Sequence, residues 1–172
     1  VQYLLMSKDG SSRFPDDKEF VSALATKNIY KMRAKNKIYT FYRFNAGNSN
    51  EGDTSVIDKM QPDANGNIFL SIEHIMPQTP SNEWKHKLGG EQAAERIRKL
   101  WGHTIANLTL TAYNSSYSNS SFDKKLNLIS DDGQGIGFKY SPLHLNEYIK
   151  QQTSWGEREL QERMSMLQQE AL

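Results

Sequence analysis

The chain has 172 residues, 37% hydrophobic and 24% charged, a composition that suits one polar globular domain long enough to bury a core. It has no cysteine, which excludes disulfides and any thiolate-held zinc, and no apolar run approaches the roughly 20 residues of a membrane span. No basic-then-apolar leader opens it, so a cytoplasmic location is the default expectation; the formal net charge of +1 is low for a protein that grips a polyanion unaided, so such affinity is expected from a partner domain or a local patch.

Val1 to Met6 is apolar and uncapped and suits the tail of an element. Pro15 to Glu19 reads as a helix start, with Asp16 at the cap, Glu19 three positions on, and Phe20 and Leu24 as the buried stripe. Ile29 to Phe44 is a second helical candidate, although its Tyr39-to-Phe44 half also suits a strand. Aromatic and basic residues interleave there, as they do on nucleic-acid surfaces, but core packing with solvated Lys and Arg is the simpler account. Ala46 to Asn67 lacks periodicity and reads as a loop or disordered linker.

Asn67 to Ile75 alternates, with Ile68, Leu70 and Ile72 on one face, and Pro77 ends this strand because it has no amide donor. Thr79 to His103 is too long for a hairpin turn. Within it Glu91 to Trp101 has a helical pattern, with Ala94, Ile97, Leu100 and Trp101 inward, Gly89-Gly90 before it and Gly102 after. Its Arg96, Arg98 and Lys99 read as a solvated face more simply than as phosphate contacts. Thr104 to Ala112 is again strand-like, with Leu108 and Leu110 opposite Asn107, Thr109 and Thr111. The Asn- and Ser-rich run from Asn114 to Ser121, followed by Phe122 and Lys124-Lys125, has the capping oxygens and apolar start of a helix.

Ser130 to Gly137 is a loop and lacks the Gly-Lys-Ser/Thr ending of a phosphate loop. Asn146 to Gln152 reads as a short helix. Ser154 to Glu157 fits a capping box that opens a closing amphipathic helix, with Leu160, Met164, Leu167 and Ala171 inward. The fold class expected is α+β and mainly helical, with residues 1–66 as a helical lead-in and loop, 67–130 as the core, and 131–172 as a helical segment packing on it. Strand, loop, strand, helix brings His74, Asn107 and either Asn114 or Asn119 toward one point. His86, His103 and His144 have no comparable context.

The order of these runs is specific. Glu73-His74-Ile75-Met76-Pro77-Gln78, then Asn107-Leu108-Thr109-Leu110, then Asn114-Ser115 with Ser118-Asn119, Phe122 and Lys125, resembles the HNH (ββα-metal, His-Me finger) nuclease domain at the C-terminal end of GmrSD-type modification-dependent (type IV) restriction endonucleases. Arg13-Phe14-Pro15 with Asp17 and Phe20 resembles that domain's lead-in, and Trp155, Leu160, Arg163 and Leu167 its closing helix. Ala106 stands where the family usually has Gly.

The resemblance implies a ββα-metal core held by packing, since no cysteine is present for a structural zinc. It implies a metal-dependent endonuclease of bacterial restriction and phage defence. Its substrate would be double-stranded DNA, modified or foreign, its cofactor Mg²⁺ with Mn²⁺ as a substitute, and its partner an N-terminal nucleotide-binding sensor domain or subunit outside this chain; no membrane is involved. His74 is the expected general base, because a histidine is largely neutral near pH 7. Glu73 and Asn114 are the expected metal ligands, with Asn119 competing or additional, as hard oxygen donors suit a hydrated cation. Asn107 would brace the loop carrying His74, and Lys124 and Lys125 would meet the DNA backbone. A catalytically silent DNA-binding or scaffolding domain is one rival, and a non-specific toxin nuclease another. Glu73, His74 and Asn107 together speak against the first; the modest charge and the lack of a translocation segment speak against the second.

Overall fold

The computed structural model describes residues 13–47 and 55–172, so the apolar run at Val1 to Met6 and part of the expected linker lie outside the described residues. Two short strands, β1 (Ser71–His74) and β2 (Leu108–Thr111), pair antiparallel with Ser71 opposite Thr111, Ile72 opposite Leu110, Glu73 opposite Thr109 and His74 opposite Leu108. The remaining named elements among the described residues are helical, which makes the chain helix-rich α+β.

The lead-in holds three helices. At α1 (Asp17–Thr26) the Asp16 side chain accepts from the Glu19 amide and the Glu19 carboxylate accepts from the Asp16 amide, the reciprocal cap expected for this spacing. α2 (Ala34–Ala46) starts later than Ile29, because the Asn28 side chain accepts from the Lys31 amide and holds the intervening residues in a turn. Tyr39 to Phe44 is helical, not extended, and Phe41 and Phe44 at i,i+3 spacing form its buried face. Gly47 ends α2 at φ +56°, and a Cβ there would stand 2.6 Å from His144 Nε2. The expected linker contains α3 (Ser55–Lys59), where Val56 and the following Met60 reach the core one helical turn apart.

β1 is shorter than the alternation of Asn67 to Ile75 predicts. The Asp63 carboxylate accepts from the amides of Asn65 and Asn67, and the Leu70 amide donates to Lys59, so this stretch is held by a turn and not by a ladder. Ile68 and Phe69 are exposed in consequence, while Leu70 is buried. Between the strands lie α4 (Asn82–Lys87), capped by Ser81, and α5 (Glu91–Trp101); Ala94 and Ile97 face the core as predicted, but Leu100 does not.

After β2 the single expected helix is two, α6 (Asn114–Tyr117) and α7 (Phe122–Asn127), separated at Ser118, whose φ of +43° breaks the helical run. The C-terminal segment has a 3-10 turn at His144–Asn146, α8 (Glu147–Lys150) and α9 (Glu157–Glu170). The box at α9 sits two residues later than predicted: the Gly156 amide and the Ser154 hydroxyl both donate to Glu159.

One hydrophobic cluster joins Leu24 and Phe41 of the lead-in, Trp84, Ile75 and Leu108 around the sheet, and Trp155 and Leu160 at the C-terminal end. Backbone and side-chain bonds cross the same segments, from the Ile29 amide to the His103 carbonyl and from the Leu145 amide to Asn45 Oδ1. The buried Arg163 guanidinium of α9 donates to the carbonyls of Ile105, Ala106, Leu108 and Leu145, and so fixes the turn that leads into β2. Ala106 contributes only its carbonyl to this turn and has no positive φ, so the turn does not need glycine there. No helix among the described residues is long and apolar enough to cross a membrane.

Candidate active site

Successive residues of a strand face opposite ways, so Glu73 and His74 leave β1 on different sides of the sheet. Glu73, only 4% exposed, meets α7: Lys125 Nζ donates to its Oε1 at 2.5 Å and to the carbonyls of His74 at 2.8 Å and Ile75 at 3.3 Å. Burial pushes the Glu73 carboxyl up and the Lys125 ammonium down, in each case against the attraction of the partner. Lys125 therefore is not on the surface that DNA would meet. Its side chain is fully enclosed because Phe122, Lys125 and Leu126 form the inward face of α7; Lys124, on the outward face, is exposed.

His74 turns the other way. Its Nε2 lies 3.1 Å from His103 Nδ1, and the Tyr30 ring packs edge-on against it at 4.8 Å while stacking on His103 at 5.4 Å and 14°. Burial, then the neighbouring His103 and Lys125, lowers the His74 pKa to about 4, so the ring is neutral at neutral pH. Burial, with the charges of Lys31 and Arg98 behind it, also lowers His103. His103 and Tyr30 are thus the residues that sequence reasoning did not place here. His103 follows α5 across a turn and carries no local pattern of its own, and Tyr30 arrives from the lead-in through the bond between Ile29 and the His103 carbonyl.

Asn107, fully buried, clamps the loop after His74. Its Nδ2 donates to the carbonyls of Met76 at 2.9 Å and Gly102 at 3.2 Å, and its Oδ1 accepts from the Met76 amide at 2.9 Å and from Trp155 Nε1 at 3.3 Å. Asn114 stands at the start of α6 with Nδ2 donating to the Ile72 carbonyl at 2.8 Å and Ser71 Oγ at 3.2 Å, the side of β1 that also carries Glu73. Asn119 is exposed, and no hydrogen bond ties either asparagine to the His74 ring among the described residues. The sheet and its flanking turns thus gather His74 with His103, Asn107 with the loop after His74, and Asn114 and Lys125 with the Glu73 side.

A hydrated Mg²⁺ takes oxygen donors and completes its shell with water and substrate phosphate. No three His, Cys, Asp or Glu side chains converge on a metal position among the described residues. The oxygen donors beside β1 are the Glu73 carboxylate and the Asn114 amide oxygen, whose nitrogen is already oriented by Ile72 and Ser71. They are right in kind but poor in charge, since Lys125 balances the single carboxylate. Glu73 is enclosed and bonded to Lys125, so in this arrangement a cation reaches these donors only by opening that pair.

No curated protein matches the chain. The family model of the GmrSD restriction endonucleases, C-terminal domain, matches residues 14–170, from the lead-in helices through the paired strands to α9. The chain therefore belongs to the family of GmrSD restriction endonuclease C-terminal domains.

Proposed function

We propose that this chain is the cleavage domain of a restriction or phage-defence enzyme, a divalent-metal-dependent HNH endonuclease that hydrolyses phosphodiester bonds of double-stranded DNA in the cytoplasm. The observation that carries the reading is a neutral, buried-edge His74 next to Glu73 at the end of β1, with Asn107 gripping the loop that follows. The antiparallel β1–β2 pair followed by α6 and α7 supports a ββα arrangement, with residues 67–130 as its core and the segments on either side as its buttresses.

Hydrolysis needs a base on the attacking water and stabilisation of the charge that grows on the phosphate. His74 is the base. We assign the proton of the 3.1 Å contact between His74 Nε2 and His103 Nδ1 to His74, the tautomer that would leave the His74 Nδ1 lone pair for the water. Lys125 fixes the peptide groups of His74 and Ile75 from behind, and Asn107 fixes Met76, so the imidazole is held from both sides of its own chain. Mg²⁺ or Mn²⁺ held by Glu73 and Asn114, with Asn119 as an additional oxygen donor, would stabilise negative charge on the phosphate only if the Glu73 carboxylate leaves Lys125 and turns toward the His74 side when DNA and metal bind. A sensor partner with a nucleotide site and a modified or foreign DNA substrate complete the reading.

Supercoiled plasmid, modified and unmodified, incubated with the chain and Mg²⁺ or Mn²⁺ is the test. Nicked or linear product that disappears with chelator and in His74→Ala supports the reading. Equal cleavage by His74→Ala removes the base assigned here, and DNA binding without cleavage under every metal condition favours the silent DNA-binding domain.

A further inference from the structure

Between Phe20 and Gly47 the chain has six cationic residues, Lys27, Lys31, Arg33, Lys35, Lys37 and Arg43, and no Asp or Glu. The whole chain has 21 Lys and Arg against 20 Asp and Glu, so removing these six leaves 15 cations against all 20 carboxylates. The positive charge is therefore concentrated in one segment of an otherwise acidic molecule. Elsewhere eight of the 15 have a carboxylate among the described residues: Arg13 pairs with Glu19, Lys85 with Glu91, Lys87 with Glu83, Arg96 with Glu157, Arg98 with Glu95, Lys125 with Glu73, Lys150 with Glu147 and Arg158 with Glu159. None of the six has an acidic partner among the described residues, and all but the half-buried Lys37 are exposed.

This segment touches the candidate site directly. Lys37 Nζ donates to the Tyr30 carbonyl at 3.2 Å and lies 5.5 Å from the centre of the Tyr30 ring, which in turn packs on both His74 and His103. Lys31 is among the charges that His103 feels. On α2, Lys35, Tyr39 and Arg43 recur every fourth residue, and all three are exposed, Tyr39 at 61%, so a basic stripe with an open aromatic ring runs along the outer face. Cations without acidic partners beside exposed aromatics are what a phosphate backbone meets in a protein groove.

We infer that the segment from Lys27 to Arg43 is the DNA-backbone surface of this domain, a duplex phosphate track that leads across Tyr30 to the His74–His103 pair. The inference rests on DNA being the substrate, and it moves the backbone contact from the α7 lysines to the lead-in. Lys31, whose charge His103 feels, and Lys37, over the Tyr30 ring that packs on both histidines, would hold the phosphates next to the scissile one, while Lys35 and Arg43 would extend the track along α2. Each phosphate neutralised should release counterions and steepen the salt dependence, by about 0.9 in the slope of log affinity against log salt.

The deciding experiment is fluorescence anisotropy of a labelled DNA duplex with the 172-residue chain, in chelator so that binding is read apart from cleavage. The variant Lys31→Gln/Arg33→Gln/Lys35→Gln/Lys37→Gln is compared with Lys87→Gln/Lys99→Gln/Lys124→Gln/Lys139→Gln, which removes equal charge elsewhere; circular dichroism checks that both fold. The first set should weaken binding on the order of tenfold or more at low salt and flatten the salt slope by roughly 2 to 4, and the second should do much less. Equal losses in the two sets, or no binding by the unaltered chain at low salt, would overturn the inference. A plasmid assay with metal separates the two readings. Cleavage that survives intact in the first variant sinks the phosphate track alone, whereas lead-in-dependent binding with no cleavage in any metal leaves the track and sinks the nuclease.

Discussion

The two side chains that end β1 leave the sheet in opposite directions and meet opposite surroundings. Glu73 enters an enclosed pocket where an ammonium and backbone carbonyls already satisfy one another. His74 lies against a second histidine and a tyrosine that is 38% exposed, next to the most cationic segment of the chain. Adjacent residues of one strand are thus divided between an enclosed ion pair and an aromatic, cationic neighbourhood, because the pleat sends successive side chains to opposite faces of the sheet.

The Glu73 side should be the easiest to break. Lys125→Met strands a buried carboxylate, and removing one partner of such a pair typically loses about 3–5 kcal/mol; urea unfolding should therefore show a large drop in midpoint. Glu73→Gln/Lys125→Met, which removes both charges, should lose less than Lys125→Met alone. A midpoint for Lys125→Met equal to that of the unaltered chain would mean that this pair does not hold α7 to β1.

His74 should show itself in the pH dependence of stability. Its pKa falls from 6.5 to about 4 on folding, so the unfolded chain binds this proton first. The contribution is complete above pH 6.5 and is lost as pH falls through about 4, with a total of about 3 kcal/mol from the shift. Thermal unfolding of the chain and of His74→Phe across that window measures it: the variant should lose less stability on acidification.

Smaller effects come from the supports. Trp155→Phe removes the donor to Asn107 Oδ1 but keeps most of the ring stacked on Phe122, and should lose about 1 kcal/mol, the usual net worth of one hydrogen bond. Arg96→Gln breaks an exposed pair with Glu157 and should leave the unfolding midpoint unchanged within error. A larger loss there than in Trp155→Phe would invert the ranking of buried over exposed polar contacts.

Much of this arrangement was legible in the chain. The capping box at Asp16, the inward spacing of Ala94 and Ile97, the strand nature of Leu108 to Thr111 within the expected Thr104 to Ala112, whose first four residues are turn, and the nearness of Asn107 to the loop after His74 all follow from local periodicity or motif order. The rest depends on long-range geometry. His103 is 29 residues from His74, and no local pattern encodes their meeting; it follows from the turn between α5 and β2, where the Ile29 amide of the lead-in bonds the His103 carbonyl. Lys125 illustrates a different limit. A lysine pair suggests surface charge, yet its spacing from Phe122 puts one of the two on the inward face of a short helix, where only an acidic partner makes its burial tolerable. The alternation of Ile68, Leu70 and Ile72 misled for a third reason, because the Asp63 turn claims the backbone donors that a longer β1 would need.

The protonation state of the His74 ring is the most direct test of the account. Long-range ¹H–¹⁵N spectra of the imidazoles, assigned by comparison with His74→Phe, should at pH 6.5 give His74 as a neutral ring protonated on Nε2, with Nδ1 carrying the lone pair, although an ordinary histidine is half charged at that pH. A charged His74, or one protonated on Nδ1, would contradict its assignment as the base.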